Sequence, residues 1–210
     1  MLRQTTAFLA IAMIPACVYA VDGIVLINQS TVNASGGFPY VISQPGSYKL
    51  SGNLVATVDH QAILVTASNV NLDLNGFTVT CAFQNPTSVT RCVGDLFDST
   101  VSNLSIRNGV VALSATASAP ANIVSFNSSG SVLVEELQIV MNSPEISGFV
   151  GLHVGPGSIV RHNIIRPNGS FFGFLNVLCP SVIEGNSVGG IGTFGAGCVA
   201  DNNTGTITAF

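Results

Sequence analysis

The chain has 210 residues, of which 47% are hydrophobic and only 8% are charged, whereas an ordinary globular domain carries about 25% charged residues. A membrane-spanning helix needs an apolar run of at least ~18 residues, and no such run follows the N-terminal segment. The formal net charge is −4, and the few basic residues form no cluster. Nucleic-acid binding is therefore not expected, because phosphate recognition needs concentrated positive charge.

The N-terminal segment has the layout of a secretory signal peptide, residues 1–20. Arg3 precedes an apolar stretch that reaches Cys17, and Val18 and Ala20 supply small residues at the two positions that a signal peptidase reads. Cleavage after Ala20 predicts an exported mature chain that is secreted, periplasmic or held at the cell surface. The alternatives are a lipoprotein anchored through Cys17 and a buried N-terminal helix.

Four cysteines remain after such a cleavage: Cys81, Cys92, Cys179 and Cys198. An even number in an exported chain indicates two disulfides, for which three pairings are possible. We favour Cys81–Cys92 and Cys179–Cys198, since the members of each pair are close in sequence. Four buried free thiols are the alternative, and the spacing matches no zinc motif.

Short internal repeats run through the chain. The pattern of Ser158–Ile165 recurs twenty-three positions later at Ser181–Val188, and a shorter copy follows at Cys198–Asn203. In the first half, Asn69–Gly76 is echoed by Asn103–Gly109. Repetition at a period of 20–50 residues is typical of proteins built from stacked units.

Each unit alternates apolar and polar residues, as at Val70, Leu72 and Leu74, which is the period of a half-buried strand. Turns rich in Asn and Gly separate these strands. We therefore predict an all-β fold: a single-stranded right-handed parallel β-helix, or solenoid, of roughly seven or eight coils. Residues 21–43 are predicted to form an N-terminal cap, and residues 44–210 the β-helix.

Equivalent residues in successive coils are expected to lie over one another. Asn163, Asn186 and Asn203 are predicted to form a structural ladder at a corner, because Asn tolerates the left-handed conformation of a sharp turn and its amide can bond to the Asn of the next coil. Asp73 and Arg107 occupy corresponding places in two repeats and are expected to pair across coils on the outer face.

The rung-like segments 71–77 and 103–109 resemble rungs of the pectin-lyase-like β-helix superfamily. Segments 44–54 and 178–186 are similar to parts of exported bacterial right-handed parallel β-helix repeat proteins. The resemblance implies the fold for nearly all of the mature chain. The superfamily includes pectate lyases, polygalacturonases, alginate lyases and many proteins of unknown role, so the fold alone does not imply one activity.

The glycosidases of that superfamily use several aspartates on neighbouring coils in Asn-Thr-Asp, Asp-Asp and Gly-His-Gly segments, and none of these occurs here. Glu135 and Glu136 form the nearest acidic pair. Because adjacent strand residues point to opposite faces, they are not expected to flank one substrate.

The lyases of the superfamily suggest a calcium-and-arginine design. Ca²⁺ prefers six to eight oxygen ligands, and the best acidic grouping is Asp95 with Asp98, which we place in a loop after Cys92. These two residues are weak candidates for a Ca²⁺ site, and a solvated pair that caps a turn is the simpler interpretation.

The most suggestive polar cluster consists of Arg161, His162 and Arg166, with His153 one strand earlier. A basic patch on a β-helix face would meet an acidic polysaccharide, and His162 would act as a base. Residues at a surface rim are the simpler interpretation.

Three functions remain open. The favoured one is non-catalytic binding of carbohydrate or another extracellular surface by an exported β-helix. The second is a small polysaccharide lyase or glycoside hydrolase. The third is a structural or adhesive module that binds protein, for which the apolar run Phe171–Phe174 offers a candidate patch.

Overall fold

The computed structural model describes residues 23–57, 59–84, 90–96, 100–115, 121–127, 130–142, 150–168 and 174–209. This part of the chain is almost entirely β, with one short helix and nineteen strands in a single sheet whose pairings are parallel. In chain order the elements are β1 (Ile24–Ile27), α1 (Gln29–Ala34), β2 (Tyr40–Ile42), β3 (Gly46–Leu50), β4 (Leu54–Val55), β5 (Ile63–Val65), β6 (Val70–Asp73), β7 (Thr78–Phe83), β8 (Thr90–Asp95), β9 (Leu104–Ala115), β10 (Ala121–Phe126), β11 (Val132–Asn142), β12 (Val150–Val154), β13 (Ile159–Arg161), β14 (Ile164–Asn168), β15 (Phe174–Val177), β16 (Val182–Glu184), β17 (Ser187–Phe194), β18 (Val199–Asp201) and β19 (Thr204–Ala209).

The strands form three parallel stacks, which the chain visits in a fixed order. Stack 1 contains β2, β5, β8, β10, β12, β15 and the later parts of β17 and β19. Stack 2 contains β1, β3, β6, the first parts of β9 and β11, then β13, β16 and β18. Stack 3 contains β4, β7, the later parts of β9 and β11, β14, and the first residues of β17 and β19. The arrangement is consistent with a solenoid in which each coil lies on the previous one.

Alternation within the strands separates the core from the surface. In β7 every second residue is buried, namely Val79, Cys81 and Phe83. The same alternation holds in β11 on either side of Glu135 and Glu136, and the buried set consists mainly of Val, Ile and Leu. Branched side chains suit such a half-buried pleated surface, so the apolar core is a narrow column between the three stacks.

The segment expected to act as an N-terminal cap contributes strands to the stacks. β1 pairs with β3, and β2 pairs with β5. Between them, Asn28 begins α1 with a capping box: its side chain accepts from the backbone N–H of Thr31, and the Thr31 hydroxyl oxygen accepts from the backbone N–H of Asn28. This reciprocal bonding satisfies two N–H groups that a short helix would otherwise expose.

The cysteines pair as we favour from the sequence. Disulfides join Cys81 to Cys92 and Cys179 to Cys198. Two disulfides suggest an oxidising extracellular compartment. Among the helices of the described residues, none is both long and apolar enough to cross a membrane. The predicted signal peptide, including Cys17, lies outside the described residues.

Candidate binding groove at a corner of the coil

Hydrogen bonds join three asparagines at the corner between stacks 2 and 3. The Nδ2 of Asn163 donates to Oδ1 of Asn186 at 3.0 Å, and the Nδ2 of Asn186 donates to Oδ1 of Asn203 at 2.9 Å. Each amide also bonds to the backbone of a neighbouring coil. Asn163 accepts from the N–H of Leu137, and its Nδ2 donates to the carbonyl oxygen of Val134. The ladder therefore satisfies buried backbone groups that the turn takes out of the strand pairing.

The left-handed residue at this corner precedes the ladder asparagine, so our expectation that the asparagine itself adopts that conformation is wrong. The residues that precede the three ladder asparagines have φ near +60°, namely His162 (55°), Gly185 (62°) and Asn202 (53°). Asn108 (59°) and Glu136 (54°) hold the equivalent position in two earlier coils. The sharp change of direction occurs at the exposed residue, and the following asparagine points inward to bond to the backbone.

Glu136 is the unusual member of this column. Gly and Asn tolerate positive φ, and His is enriched there, whereas a left-handed glutamate is strained by about 1–2 kcal/mol. Register places Glu136 directly under His162, since Glu135 is paired with Arg161 and Gln138 with Ile164. Strain at a non-glycine residue is a reason to examine the surface beside it for function.

A groove of about 360 Å³ lies along this corner. Its polar lining includes Asn108, Glu136, Gln138 and His162, and its other lining residues are Gly76, Gly109, Val110, Leu137 and Ile164. These residues come from four successive coils, so the groove runs along the axis of the stack. Polar side chains beside apolar ones are the combination that small-molecule sites use to orient a ligand.

Glycine at position 185 leaves room for the histidine in the groove. A Cβ at Gly185 would lie 2.7 Å from Cδ2 of His162, so the imidazole lies against the backbone of the next coil. Gly185 thus serves two purposes, since its φ of +62° also favours glycine.

The basic cluster expected from the sequence is not gathered on one face. Arg161 lies in stack 2 and forms an ion pair with Glu135, with 2.6 Å between Nη2 and Oε2. Arg166 lies in stack 3 and His153 in stack 1. Only His162 lines the groove. The sequence hypothesis was misleading because residues a few positions apart diverge when the chain turns a corner between them.

The candidate calcium residues are placed differently from our expectation. Asp95 ends strand β8, instead of lying in a loop, and it is only 1% exposed. Its carboxylate faces the guanidinium of the buried Arg91, 3.3 Å away. Asp98 lies outside the described residues. Within the described ranges, no three His, Cys, Asp or Glu side chains gather as a metal site.

A second polar cluster lies in stack 1, where Arg91 and Asp95 are buried and Ser125 is the register partner of His153. Burial lowers the pKa of His153, and the nearby positive charge of Arg91 lowers it further. Burial also lowers the pKa of Arg91, and Asp95 opposes that effect. The arrangement favours a neutral imidazole beside a retained guanidinium charge.

Sequence reasoning missed a column of charges on the outer face of stack 2. Successive register partners place Lys49, Asp73, Arg107, Glu135, Arg161, Glu184 and Asp201 in one line. The column holds seven of the chain's sixteen charged residues, and its sign alternates from Lys49 to Glu184. The repeats align three of its six steps, from Asp73 to Arg107, from Arg161 to Glu184 and from Glu184 to Asp201, but they do not join these steps into one column. The apolar run at residues 171–174 has no described side chains.

Comparisons with known proteins find no relative. No protein-family model matches the chain, and neither the search of curated proteins nor that of solved structures gives a match. The largely parallel sheet is compatible with a β-helix, and membership of the pectin-lyase-like superfamily stays a prediction.

Proposed function

We propose that this chain is an exported right-handed parallel β-helix protein of the pectin-lyase-like type, and that it binds an uncharged carbohydrate in the corner groove without cleaving it. The observation that carries the proposal is the composition of the groove, which combines side-chain amides and one carboxylate with apolar residues. The hydroxyl groups of a sugar can bond to the amides and the carboxylate, and its C–H faces can pack on the apolar residues.

The chemistry of the polar side chains fits hydroxyl recognition. The amides of Asn108 and Gln138 offer both donors and acceptors, and the carboxylate of Glu136 accepts hydrogen bonds. Val110 and Ile164 line the same groove. Because the lining comes from successive coils, a chain of sugar units would lie along the stack axis and meet several coils at once.

The carboxylates favour binding over hydrolysis. Glycosidases commonly need two carboxyl groups about 5–10 Å apart across the scissile bond. Glu136 is the carboxylate among the described lining residues, while Glu135 lies on the face of stack 2 and is paired with Arg161. The groove therefore offers an acceptor for hydroxyl groups without a matched acid and base of the carboxylate type.

The charge of the protein favours an uncharged polymer over an acidic one. Arg161, which we considered as part of a basic patch, is paired with Glu135. Glu136 adds negative charge to the groove, and the whole chain has a formal net charge of −4. A polyuronate would be repelled by both.

Export and architecture belong to the same proposal. Two disulfides support an oxidising location, and residues 1–20 have the sequence pattern of a cleavable signal peptide. The order of the three stacks supports a solenoid of about seven coils, right-handed like nearly all parallel crossover connections. Ca²⁺ has no part in the proposed binding.

Retention on insoluble polysaccharides tests the binding. The mature protein is incubated with neutral polymers such as cellulose, chitin and xylan, and with pectate and alginate as acidic polymers. We expect retention on at least one neutral polymer and about tenfold weaker retention for Gln138→Ala, since one hydrogen bond at a binding site contributes about 1.4 kcal/mol. Gln44→Ala, at an exposed glutamine outside the groove, is the matched control. Retention on none of the neutral polymers would remove the proposal.

A second candidate, polysaccharide cleavage, is favoured by one observation: Glu136 and His162 lie in successive coils and share the groove. An imidazole and a carboxylate are a possible base and acid. Incubation with pectate and alginate, followed by the absorbance of unsaturated products and by reducing ends, tests it. Turnover that is lost in His162→Asn would replace the binding proposal with this one. Asparagine is the suitable substitute, because it tolerates the positive φ.

A further inference from the structure

The outer face of stack 2 carries two adjacent columns of contrasting chemistry. The first contains Ser47, Asn71, Ser105, Leu133, Ile159, Val182 and Val199, by successive register pairing. Its last four members are apolar, and Ile159, Val182 and Val199 are 42%, 39% and 64% exposed. The second is the column of alternating charges. We call these the apolar column and the charge column.

We propose that this face associates with the same face of a second copy of the chain, with the two stacks antiparallel. The twofold axis would lie along the strand direction, between the coils of Leu133 and Ile159. Such an axis keeps each column opposite its own equivalent and reverses the order of the coils. Self-complementary contact of this kind is the usual form of a dimer interface.

The alternation of sign is what makes the face complementary to itself. With the axis between those two coils, Glu135 of each copy faces Arg161 of the other, and Arg107 faces Glu184. At the ends of the contact Asp73 faces Asp201, which is its one like-charged pair and weakens the association. Leu133 faces Ile159 in the adjacent column. An axis that passed through a coil would place each charge of that coil against itself, so only offsets between coils are favourable.

The same alternation disfavours other partners. A polyanion or a polycation laid along the column would meet a like charge at every second coil from Lys49 to Glu184, and like-charge contacts discriminate strongly against a partner. The intramolecular pair does not prevent the contact. Arg161 uses Nε and Nη2 toward Glu135, and a guanidinium carries five N–H donors in all.

The face is small, so the association is expected to be weak. Strands spaced by about 4.8 Å over six steps give a length of roughly 29 Å, and stack 2 strands contain three to five residues in β3, β13, β16 and β18. A stable interface buries at least about 1,000 Å² in total. We therefore expect a rapidly exchanging dimer that is populated only at high protein concentration.

Sedimentation velocity across two decades of concentration tests the proposal through exchanged charges. Arg161→Glu makes positions 135 and 161 both negative, and Glu135→Arg makes both positive. Each variant alone should stay monomeric, while an equimolar mixture should associate, because negative then faces positive at both positions. Ile159→Asn should abolish association without altering the charge column, and Val55→Asn, at a valine of stack 3 that is 61% exposed, is the control.

Thermal melting of each variant checks that the fold survives. Arg161 has 42% of its side chain exposed and Glu135 has 13%, so Arg161→Glu is expected to disturb the fold less than Glu135→Arg. A wild-type chain that remains monomeric at the highest concentration would overturn the proposal. So would a dimer that both charge variants retain, or a mixture that fails to associate. None of these outcomes bears on carbohydrate binding, which uses the corner groove.

Discussion

Replacement of Asn186 by alanine should remove the central rung of the asparagine ladder. Asn186 is 1% exposed, and its Oδ1 accepts from both the backbone N–H and the Nδ2 of Asn163, each at 3.0 Å. Its Nδ2 donates to the carbonyl oxygen of Val160 and to Oδ1 of Asn203, each at 2.9 Å. The substitution therefore removes hydrogen-bond partners in both neighbouring coils.

The magnitude follows from the groups left behind. The N–H of Asn163 and the carbonyl oxygen of Val160 lose a buried partner, and a stranded buried group costs about 1–3 kcal/mol. With the further loss of one bond to each neighbouring asparagine side chain, we expect destabilisation of about 4 kcal/mol. A domain is stable by only about 5–15 kcal/mol, so the variant should unfold at much lower urea concentration.

Urea unfolding followed by far-UV circular dichroism measures this loss, with both disulfides kept oxidised. Asn33→Ala is the matched control, because Asn33 is exposed in α1 and its side chain bonds to Gln29 at 3.3 Å. The control should change stability by less than about 0.5 kcal/mol. If Asn186→Ala lost less than about 1 kcal/mol, the reasoning that buried ladder amides stabilise the coil corner would be refuted.

Four further outcomes are expected. Asn186→Asp should be destabilised at neutral pH at least as strongly as the alanine variant. It should recover part of its stability on acidification, because only a protonated carboxyl can donate to the carbonyl oxygen of Val160. An equal loss of stability at pH values above and below the titration of the carboxyl would contradict this. Glu136→Asn should raise the free energy of unfolding by about 0.5–1 kcal/mol, since Asn tolerates positive φ, and an unchanged midpoint in urea would argue against strain there. Burial and the charge of Arg91 hold the pKa of His153 below its ordinary 6.5. The unfolded chain therefore takes up the proton first, and stability should fall as the pH drops below about 6.5. His153→Gln should flatten this dependence of stability on pH, and an unaltered dependence would show that other groups cause it. Replacing Cys81 and Cys92 together by serine should cost about 3 kcal/mol for a loop of this length. The measurement is the fall of the thermal midpoint relative to the chain with both disulfides, and an unchanged midpoint is the opposing result.

The strands and the later part of the register were predictable because the sequence repeats them nearly without insertion. Asn163 and Asn186 are 23 residues apart, and the segments around them share their pattern of small, apolar and polar residues. Alternation then separates inside from outside with no knowledge of the tertiary structure. The cysteine pairing was also predictable, because the two members of each disulfide are close in sequence.

The charge column as a whole was not predictable, because the number of residues in a coil varies between the repeats that align parts of it. Register partners are 34 residues apart at Asn71 and Ser105, but only 17 apart at Asn186 and Asn203. Insertions at the corners between strands change the spacing without changing the stacking. A search for residues at a constant period therefore cannot align Lys49 with Asp201, whereas the pairing of strands does so directly.

The corner groove was only partly predictable for a related reason. The sequence singled out His162, but its expected partners Arg161 and Arg166 lie on other faces. Glu136 was considered only as the neighbour of Glu135, whereas in the structure it lines the groove. A corner with positive φ interrupts the alternation on which strand reasoning depends. The signal that points to the groove is a glutamate in a position where the other coils have Asn, His or Gly.

Distances between spin labels test the stacking of coils most directly. Labels on Ser47 and on one of Leu133, Val182 or Val199 lie three, five and six register steps apart in the apolar column. At about 4.8 Å per step, the Cα separations are roughly 14 Å, 24 Å and 29 Å, so the distances between labels from pulsed electron resonance should increase in the same order and by similar increments. Separations that fail to increase in this order would contradict the stacked architecture, and with it the corner groove and the proposed association through the outer face of stack 2.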